Sequence, residues 1–129
     1  MQNIQIITAL DSVTATTTSS KIWIGDFNRV AILCRRADHG SGSTAFTVKA
    51  GFGQLASDSP TMTAYSMLID NVANTNTQQN YTHTASHSLA ANGDVYFWMD
   101  PSAPATHIEI TATETTDGTH SAFIIGFCN

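Results

Sequence analysis

Residues 81–99 read YTHTASHSLAANGDVYFWM, and the character of the side chains changes at every second position. In residues 81–89 one face carries Thr and Ser, and the other carries mainly Tyr, His and Leu. In residues 95–99 both faces are apolar. A period of two is typical of β-strands, because successive side chains point to opposite faces of a sheet. The Asn92-Gly93 dipeptide between the two segments favours a type I′ turn, so the stretch predicts a β-hairpin.

The same alternation recurs through the rest of the chain. It predicts further strands at residues 4–7, 21–24, 29–37, 46–52, 61–70, 107–115 and 119–127. Asp117-Gly118 predicts a second hairpin between the last two of these strands. Eight or nine short antiparallel strands predict an all-β fold, a single β-sandwich over residues 1–129, with a jelly roll as one candidate topology.

Length and composition place the chain among globular proteins that are not secreted. A domain of 129 residues buries enough surface to fold without a metal or a disulfide. The opening residues lack a signal peptide pattern, so we expect synthesis and folding in a cytosol. Cys34 and Cys128 lie in predicted strands and are expected to be buried free thiols. No apolar run approaches the length of a membrane span, so no membrane partner is predicted.

The charge of the chain argues against nucleic acid as a partner. The formal net charge is -5, whereas nucleic-acid binding requires a basic surface. Arg35 and Arg36 are the only adjacent basic pair. Asp38 follows closely, so we expect this pair to lie at a solvated strand end.

No residues with catalytic or metal-binding spacing stand out. His83 and His87 would lie about 13 Å apart along one strand, too far to share a metal ion, and are expected at a surface or interface. Asp38 to Gly42 offers an acid, a base and a hydroxyl, but too close along one loop for a catalytic triad. A flexible hairpin loop is expected there. We therefore predict no enzyme activity, no cofactor, and no catalytic, cofactor-binding or metal-binding residues.

Two of the predicted strands are apolar on both faces. Val95, Phe97 and Met99 oppose Tyr96 and Trp98, and residues 122–128 show the same two-sided pattern. The outer face of a two-layer sandwich is normally polar. The second face therefore needs a cover, which is either a loop of the same chain or a neighbouring subunit or partner protein. The scarcity of Lys, which commonly protects sheet edges, also favours an assembly.

Aromatic residues leave a third interpretation open. A sugar-stacking platform could be built from four strand aromatics, although such residues more often lie in a core or an interface. The four are Trp23, Tyr65, Tyr96 and Trp98.

Several segments carry a family resemblance. STAFTV (43–48), MLIDNVANTN (67–76) and ITATETTDGTH (110–120) resemble small virion structural proteins of tailed bacteriophages, and so does the opening ITALDSVTA (7–15). The resemblance runs over most of the chain. Its segments contain no catalytic signature, so no site residue is carried over.

The resemblance implies a capsid decoration, or cement, protein. Such proteins are small β-rich subunits, often homotrimers, that bind the major capsid protein over capsomer junctions and stabilise the head. The expected location is the outer surface of the virion head, after synthesis in the host cytoplasm, and an acidic module suits a surface away from packaged DNA. Two alternatives remain: a neck, tail or baseplate subunit, and a carbohydrate-binding module for host adhesion.

Overall fold

Two antiparallel β-sheets make up the part of the chain that the structure describes. The computed structural model describes residues 3–70, 81–100 and 105–128. In chain order its strands are β1 (Asn3–Val13), β2 (Thr17–Thr18), β3 (Ile22–Trp23), β4 (Arg29–Ala37), β5 (Thr44–Gly51), β6 (Thr63–Ala64), β7 (Met67–Asp70), β8 (Tyr81–Thr84), β9 (Ser86–Leu89), β10 (Gly93–Trp98), β11 (His107–Glu114) and β12 (Thr119–Cys128). None of these residues forms a helix that could span a membrane. The predicted all-β sandwich is confirmed.

The strand order is that of a jelly roll with additions. Sheet A has the order β1-β12-β4-β10-β7-β8. Sheet B has the order β2-β11-β5-β6, with β3 also on β11 and β9 also on β5. Without the β7–β8 pair and the two-residue strands β3 and β6, the order is β1-β12-β4-β10 over β2-β11-β5-β9. Strands that follow each other in sequence thus mostly lie in opposite sheets, as two interleaved Greek keys require.

The described residues form twelve strands, so the predicted eight or nine is too low. Two predicted strands are each divided between the sheets: residues 61–70 form β6 and β7, and residues 81–89 form β8 and β9. At the second division the Thr84 hydroxyl donates to the backbone oxygen of Ser86 at 2.8 Å, which bends the chain. Alternation continues through the bend, so a period of two does not reveal it.

Both predicted hairpins are wrong. Asn92 and Gly93 lie where the chain leaves β9 in sheet B and enters β10 in sheet A. Asp117 and Gly118 likewise join β11 in sheet B to β12 in sheet A. A tight turn reverses the chain, but its residues do not determine whether the returning strand pairs beside the first or packs over it.

The core lies between the two sheets. Its residues occupy alternate positions of the long strands and have almost no exposed surface. The sequence divided residues 95–99 and 122–128 into two apolar faces, and the structure shows which face of each strand points inward. Sheet A contributes chiefly Ile32, Cys34, Val95, Phe97, Ala122 and Ile124, and sheet B contributes Phe46, Val48, Ile108, Ile110 and Ala112.

Neither cysteine is in a disulfide, which confirms the expected free thiols. Burial raises the pKa of the Cys34 thiol, so it stays protonated and unreactive. Cys128 is only half-buried, contrary to the expectation for this residue.

Adjacent positions of β10 allow a direct test of the inward phase. Phe97 is fully buried between the sheets, whereas Tyr96 is 39% exposed. Phe97→Ala should lower the free energy of unfolding by about 3–5 kcal/mol, because it removes an aromatic ring and leaves a cavity. Tyr96→Ala should lower the free energy of unfolding by clearly less. Urea titrations of the two variants measure both changes. Equal losses would contradict the assignment of the two faces.

Candidate interaction surface

The outer side of sheet A is apolar across four neighbouring strands and reaches a fifth. Strand pairing places Leu33 between Phe123 and Tyr96, and Ala31 between Ile125 and Trp98. Ile6 lies beside Ile125 on one side, and Leu68 lies beside Trp98 on the other. The apolar face, as defined here, comprises Ile4, Ile6, Ala31, Leu33, Leu68, Tyr96, Trp98, Phe123, Ile125 and Phe127.

Large side chains of the apolar face are open to solvent. Ile4 and Ile6 are 62% and 64% exposed, and Trp98 is 43% exposed. The two-sided pattern predicted for residues 95–99 and 122–128 is therefore confirmed. Burying apolar surface is favourable by roughly 25 cal/mol per Å², so covering this face would stabilise a complex.

Tyr96 and Trp98 form the most prominent feature of the apolar face. Their ring centroids are 6.1 Å apart and their planes differ by 18°, so the rings are stacked. Next to Trp98 lies an open pocket of about 240 Å³ lined by Leu68, His83, Trp98, Met99 and Asp100. A rigid aromatic pair beside a pocket is typical of the residues that contribute most to binding at interfaces.

Charged groups lie at the borders of the apolar face. Arg35 and Asp94 form a two-point ion pair, with Nε to Oδ1 at 2.8 Å and Nη2 to Oδ2 at 3.2 Å. At the opposite end the Arg29 guanidinium lies 5.1 Å from the centre of the Phe127 ring, within the range of a cation–π contact. An apolar centre with a polar rim is the common anatomy of a protein interface.

The outer side of sheet B is polar, so the sandwich has two unlike faces. Thr18 and Thr111 share a hydrogen bond of 2.9 Å between their hydroxyls, and Thr47 donates to Ser86 at 3.1 Å. Lys49 pairs in register with Glu109. The outward position of Thr47 and Lys49 follows from the alternation of residues 46–52. Sheet B therefore presents a polar outer face to water, as antiparallel sheets commonly do, whereas the outer face of sheet A is apolar.

Only two of the four aromatics considered for a sugar platform lie together. Tyr96 and Trp98 share the apolar face. Trp23 is half-buried at one end of sheet B, where its ring meets His107 edge-on at 5.2 Å and its Nε1 donates to Asp26. Tyr65 packs against the core.

His83 and His87 lie on β8 and β9, which belong to different sheets, and not on one strand as predicted. His83 is exposed beside the pocket at Trp98, and His87 is half-buried. Within the described residues, no three His, Cys, Asp or Glu side chains are arranged to hold a metal ion.

The expectation that Arg36 lies at a solvated strand end is wrong, since its side chain is fully buried. Its guanidinium donates to four backbone oxygens, those of Ser41, Gly42, Leu89 and Asp117, at 2.7 to 3.0 Å. The oxygens of Ser41, Gly42 and Asp117 belong to two separate connections between strands, and that of Leu89 belongs to the last residue of β9. The alternation along β4 indicates this burial, because Arg36 continues the inward positions of Val30, Ile32 and Cys34.

The loop from Asp38 to Gly42 is held by specific hydrogen bonds, contrary to the flexible hairpin loop that was expected. The Asp117 carboxylate accepts from the backbone N–H of Gly40 at 2.9 Å and of Ser41 at 3.1 Å. These two bonds are the main reason why the pKa of Asp117 is lowered. The backbone N–H of His39 donates to the Asn92 side chain at 2.8 Å. Side chains from outside the loop, those of Asp117 and Asn92, thus fix its backbone.

A buried histidine lies next to Arg36. Nδ1 of His120 shares a hydrogen bond of 3.2 Å with the Thr44 hydroxyl. Its Nε2 lies 3.6 Å from Oε1 of Glu114, which is too long for a hydrogen bond. Burial is the largest influence on His120 and lowers its pKa, although Glu114 opposes this shift. No local sequence pattern indicates this cluster, because Thr44 lies about 70 residues or more from Glu114 and His120 in the chain.

Comparisons with known proteins give a structural likeness. No family model matches the sequence, and no curated protein matches it. The crystal structure of SPBc2 prophage-derived protein YomS is similar with a TM-score of 0.61, at 13% identity over 98% of this chain and 96% of that chain. A prophage-derived protein therefore shares this fold.

Two other solved structures are much less similar. PirA has a TM-score of 0.37 at 9% identity, over 98% of this chain and 93% of that chain. The infectious bursal disease virus VP2 subviral particle has a TM-score of 0.25 at 12% identity, over 98% of this chain and 40% of that chain. Neither carries an argument about this protein.

Arg36 should contribute far more to stability than its neighbour Arg35. Arg36→Met removes a fully buried guanidinium and leaves four carbonyl oxygens without their donor, so it should lower the free energy of unfolding by about 3–5 kcal/mol. Arg35→Met removes a half-exposed ion pair and should cost at most about 1 kcal/mol. Urea unfolding followed by circular dichroism measures both. Similar costs for the two variants would contradict the role given to Arg36.

Stability should fall in mild acid, and His120 should account for part of the fall. Because its pKa in the folded chain is below the usual 6.5, the unfolded chain binds a proton that the folded chain does not. Its stabilising effect is complete above pH 6.5 and is lost as the pH falls towards the folded pKa. His120→Gln should therefore flatten the curve of unfolding free energy against pH. A curve of the same slope in His120→Gln and in the wild type would contradict this role.

Proposed function

We propose that this protein is a structural, non-enzymatic component of a phage virion, most specifically a capsid decoration protein on the outer surface of the head. In this role it binds the major capsid protein through the apolar face of sheet A and acts as a homotrimer. The observation that carries the proposal is that face itself, an apolar surface with a stacked aromatic pair and charged borders.

The chemistry of the apolar face favours a protein partner. Exposed apolar patches of this kind on a soluble protein commonly mark interaction sites. Among the described residues, charged groups border the face at its ends, as Arg29 and as the Arg35–Asp94 pair, and none lies at its centre. A capsid surface repeats the same binding site many times, so even moderate contacts suffice when subunits bind as oligomers.

Fold and charge give further support to a position on the head. The jelly-roll sandwich is shared with a prophage-derived protein, which supports a phage origin. A net charge of -5 disfavours contact with packaged DNA and suits the outside of the shell.

A neck, tail or baseplate subunit would use the same kind of surface. Copy number separates this alternative from decoration. Quantitative mass spectrometry of purified particles, combined with cryo-electron microscopy, should find hundreds of copies ordered over the head. A few copies in a ring at the tail would favour the neck, tail or baseplate subunit instead. Absence from particles would overturn the proposal that this is a virion protein.

Carbohydrate binding is favoured by one observation, the near-parallel rings of Tyr96 and Trp98. Their surroundings favour it less. Leu33 and Ala31 lie beside the two rings on β4, and Leu68 lies beside Trp98 on β7. A sugar needs hydrogen-bonding groups around an aromatic platform. The strand neighbours of the two rings offer only apolar surface, and the pocket beside Trp98 adds His83 and Asp100 on one side. Binding of the wild-type protein to a glycan array, lost in Trp98→Ala, would support this second function.

Trp98 provides the sharpest test of the docking surface. Trp98→Ser should reduce binding to particles that lack this protein by about 30-fold or more, because aromatic anchors of interfaces contribute about 2 kcal/mol or more. Phe52→Ser is the matched control, since Phe52 is 67% exposed but lies just after β5 of sheet B. Cosedimentation with the particles measures binding, and circular dichroism checks that both variants are folded. Equal binding by the two variants would contradict docking through the apolar face.

A further inference from the structure

Strand β1 forms an open edge of sheet A. It is eleven residues long, and within the described part of the chain it pairs only with β12. In an antiparallel ladder, the N–H and C=O groups of alternate residues point away from the partner strand. One side of β1 therefore presents backbone donors and acceptors to any strand that lies alongside it.

Devices that keep sheet edges from pairing are absent from the first part of β1. Lys, Pro and inward-pointing charges are the usual protection of an exposed edge. From Asn3 to Leu10 the sequence has no charged residue and no proline, and the first charge is Asp11. The pairing with β12 becomes irregular after Thr8. The regular, uncharged and open edge is therefore the segment from Asn3 to Thr8.

Side chains of this segment extend the apolar face to the edge of the sheet. Ile4 pairs in register with Phe127, and Ile6 pairs with Ile125. Both isoleucines are more than 60% exposed, which is far more than other aliphatic residues of the same face. A strand added beside β1 would cover them and satisfy the open backbone groups together.

We propose that the strand added there is β1 of a second copy, so that two sheets A join edge to edge across a two-fold axis. The segment of β1 from Asn3 to Thr8 is itself extended and uncharged, and it has the right length. In an antiparallel pair with matching faces, Ile4 and Ile6 of one copy lie near Ile4, Ile6 or Thr8 of the other. No like charges face each other along this seam. Each copy supplies a strand that pairs with the open backbone groups of the other copy and covers its exposed isoleucines.

This contact between copies does not depend on the proposed function. An antiparallel seam is a two-fold contact, so it produces dimers, or joins two homotrimers into an assembly of six chains. In either case the apolar faces of two copies become neighbours on one surface. The two net charges of -5 repel, but salt screens this repulsion.

Analytical ultracentrifugation of the purified protein, without particles, tests the proposal. The expected mass corresponds to two or six chains, and association should strengthen as the salt concentration rises from low values. Ile6→Lys places positive charges near each other at the seam and removes apolar contact, so it should raise the dissociation constant about tenfold or more. Leu55→Lys is the matched control, because Leu55 is 63% exposed and lies outside both sheets.

Hydrogen exchange gives an independent readout of strand pairing. At high protein concentration, amides on both sides of the segment from Asn3 to Thr8 should be protected. In Ile6→Lys only the amides that face β12 should remain protected from exchange. Gln5→Lys is a second variant, should Ile6→Lys fail to fold. A mass of one or three chains at all concentrations, or equal association of Ile6→Lys and Leu55→Lys, would overturn the proposal.

Discussion

The four hydrogen bonds from Arg36 hold one end of the sandwich together. In a jelly roll the chain repeatedly passes from one sheet to the other, and these passages lack the ladder that stabilises a hairpin. At this end two connections meet the end of β9, and each of the three turns at least one backbone oxygen towards the Arg36 guanidinium. A buried cation surrounded by carbonyl oxygens is stable only while all of them are in place, so the arrangement fixes the connections relative to one another.

Gly118 shows how closely the chain is fitted to Arg36. Its φ of +127° is a conformation that side-chain-bearing residues rarely adopt. A Cβ at this position would lie 2.9 Å from Nε of Arg36 and 3.0 Å from Cε1 of His120. The Asp117-Gly118 turn is therefore shaped by the buried cluster beneath it. The same dipeptide that suggested an ordinary hairpin is needed here for a passage between sheets.

The outer faces of the two sheets differ in chemistry. Sheet B closes the core and presents Thr, Ser and a Lys49–Glu109 pair to water. Sheet A closes the same core but is apolar on its outer side as well, from Ile6 on β1 to Trp98 on β10. The outer face adds nothing to the core, which is the physical reason for treating it as a surface made for contact.

Much of this could be derived from the sequence. Alternation located the long strands, and β4 has the predicted bounds, because period two in a half-buried strand is a direct consequence of backbone geometry. The two-sided pattern of residues 95–99 and 122–128 predicted the apolar face, since no packing of a two-layer sandwich can bury both sides of a strand. Even the burial of Arg36 was present in the phase of β4, although a pair of arginines before Asp38 suggested a solvated end.

Tertiary structure alone decided how the strands are connected and which polar groups meet. Turn residues specify a local reversal of the chain, but pairing is chosen by the total burial that each arrangement allows, so both predicted hairpins became passages between sheets. The cluster of Thr44, Glu114 and His120 joins residues from separate strands and has no local pattern. The sequence by itself determined which strand faces are apolar, because that depends only on successive residues. The fold decided that sheet A leaves one of those faces open, because that depends on what lies opposite it in space.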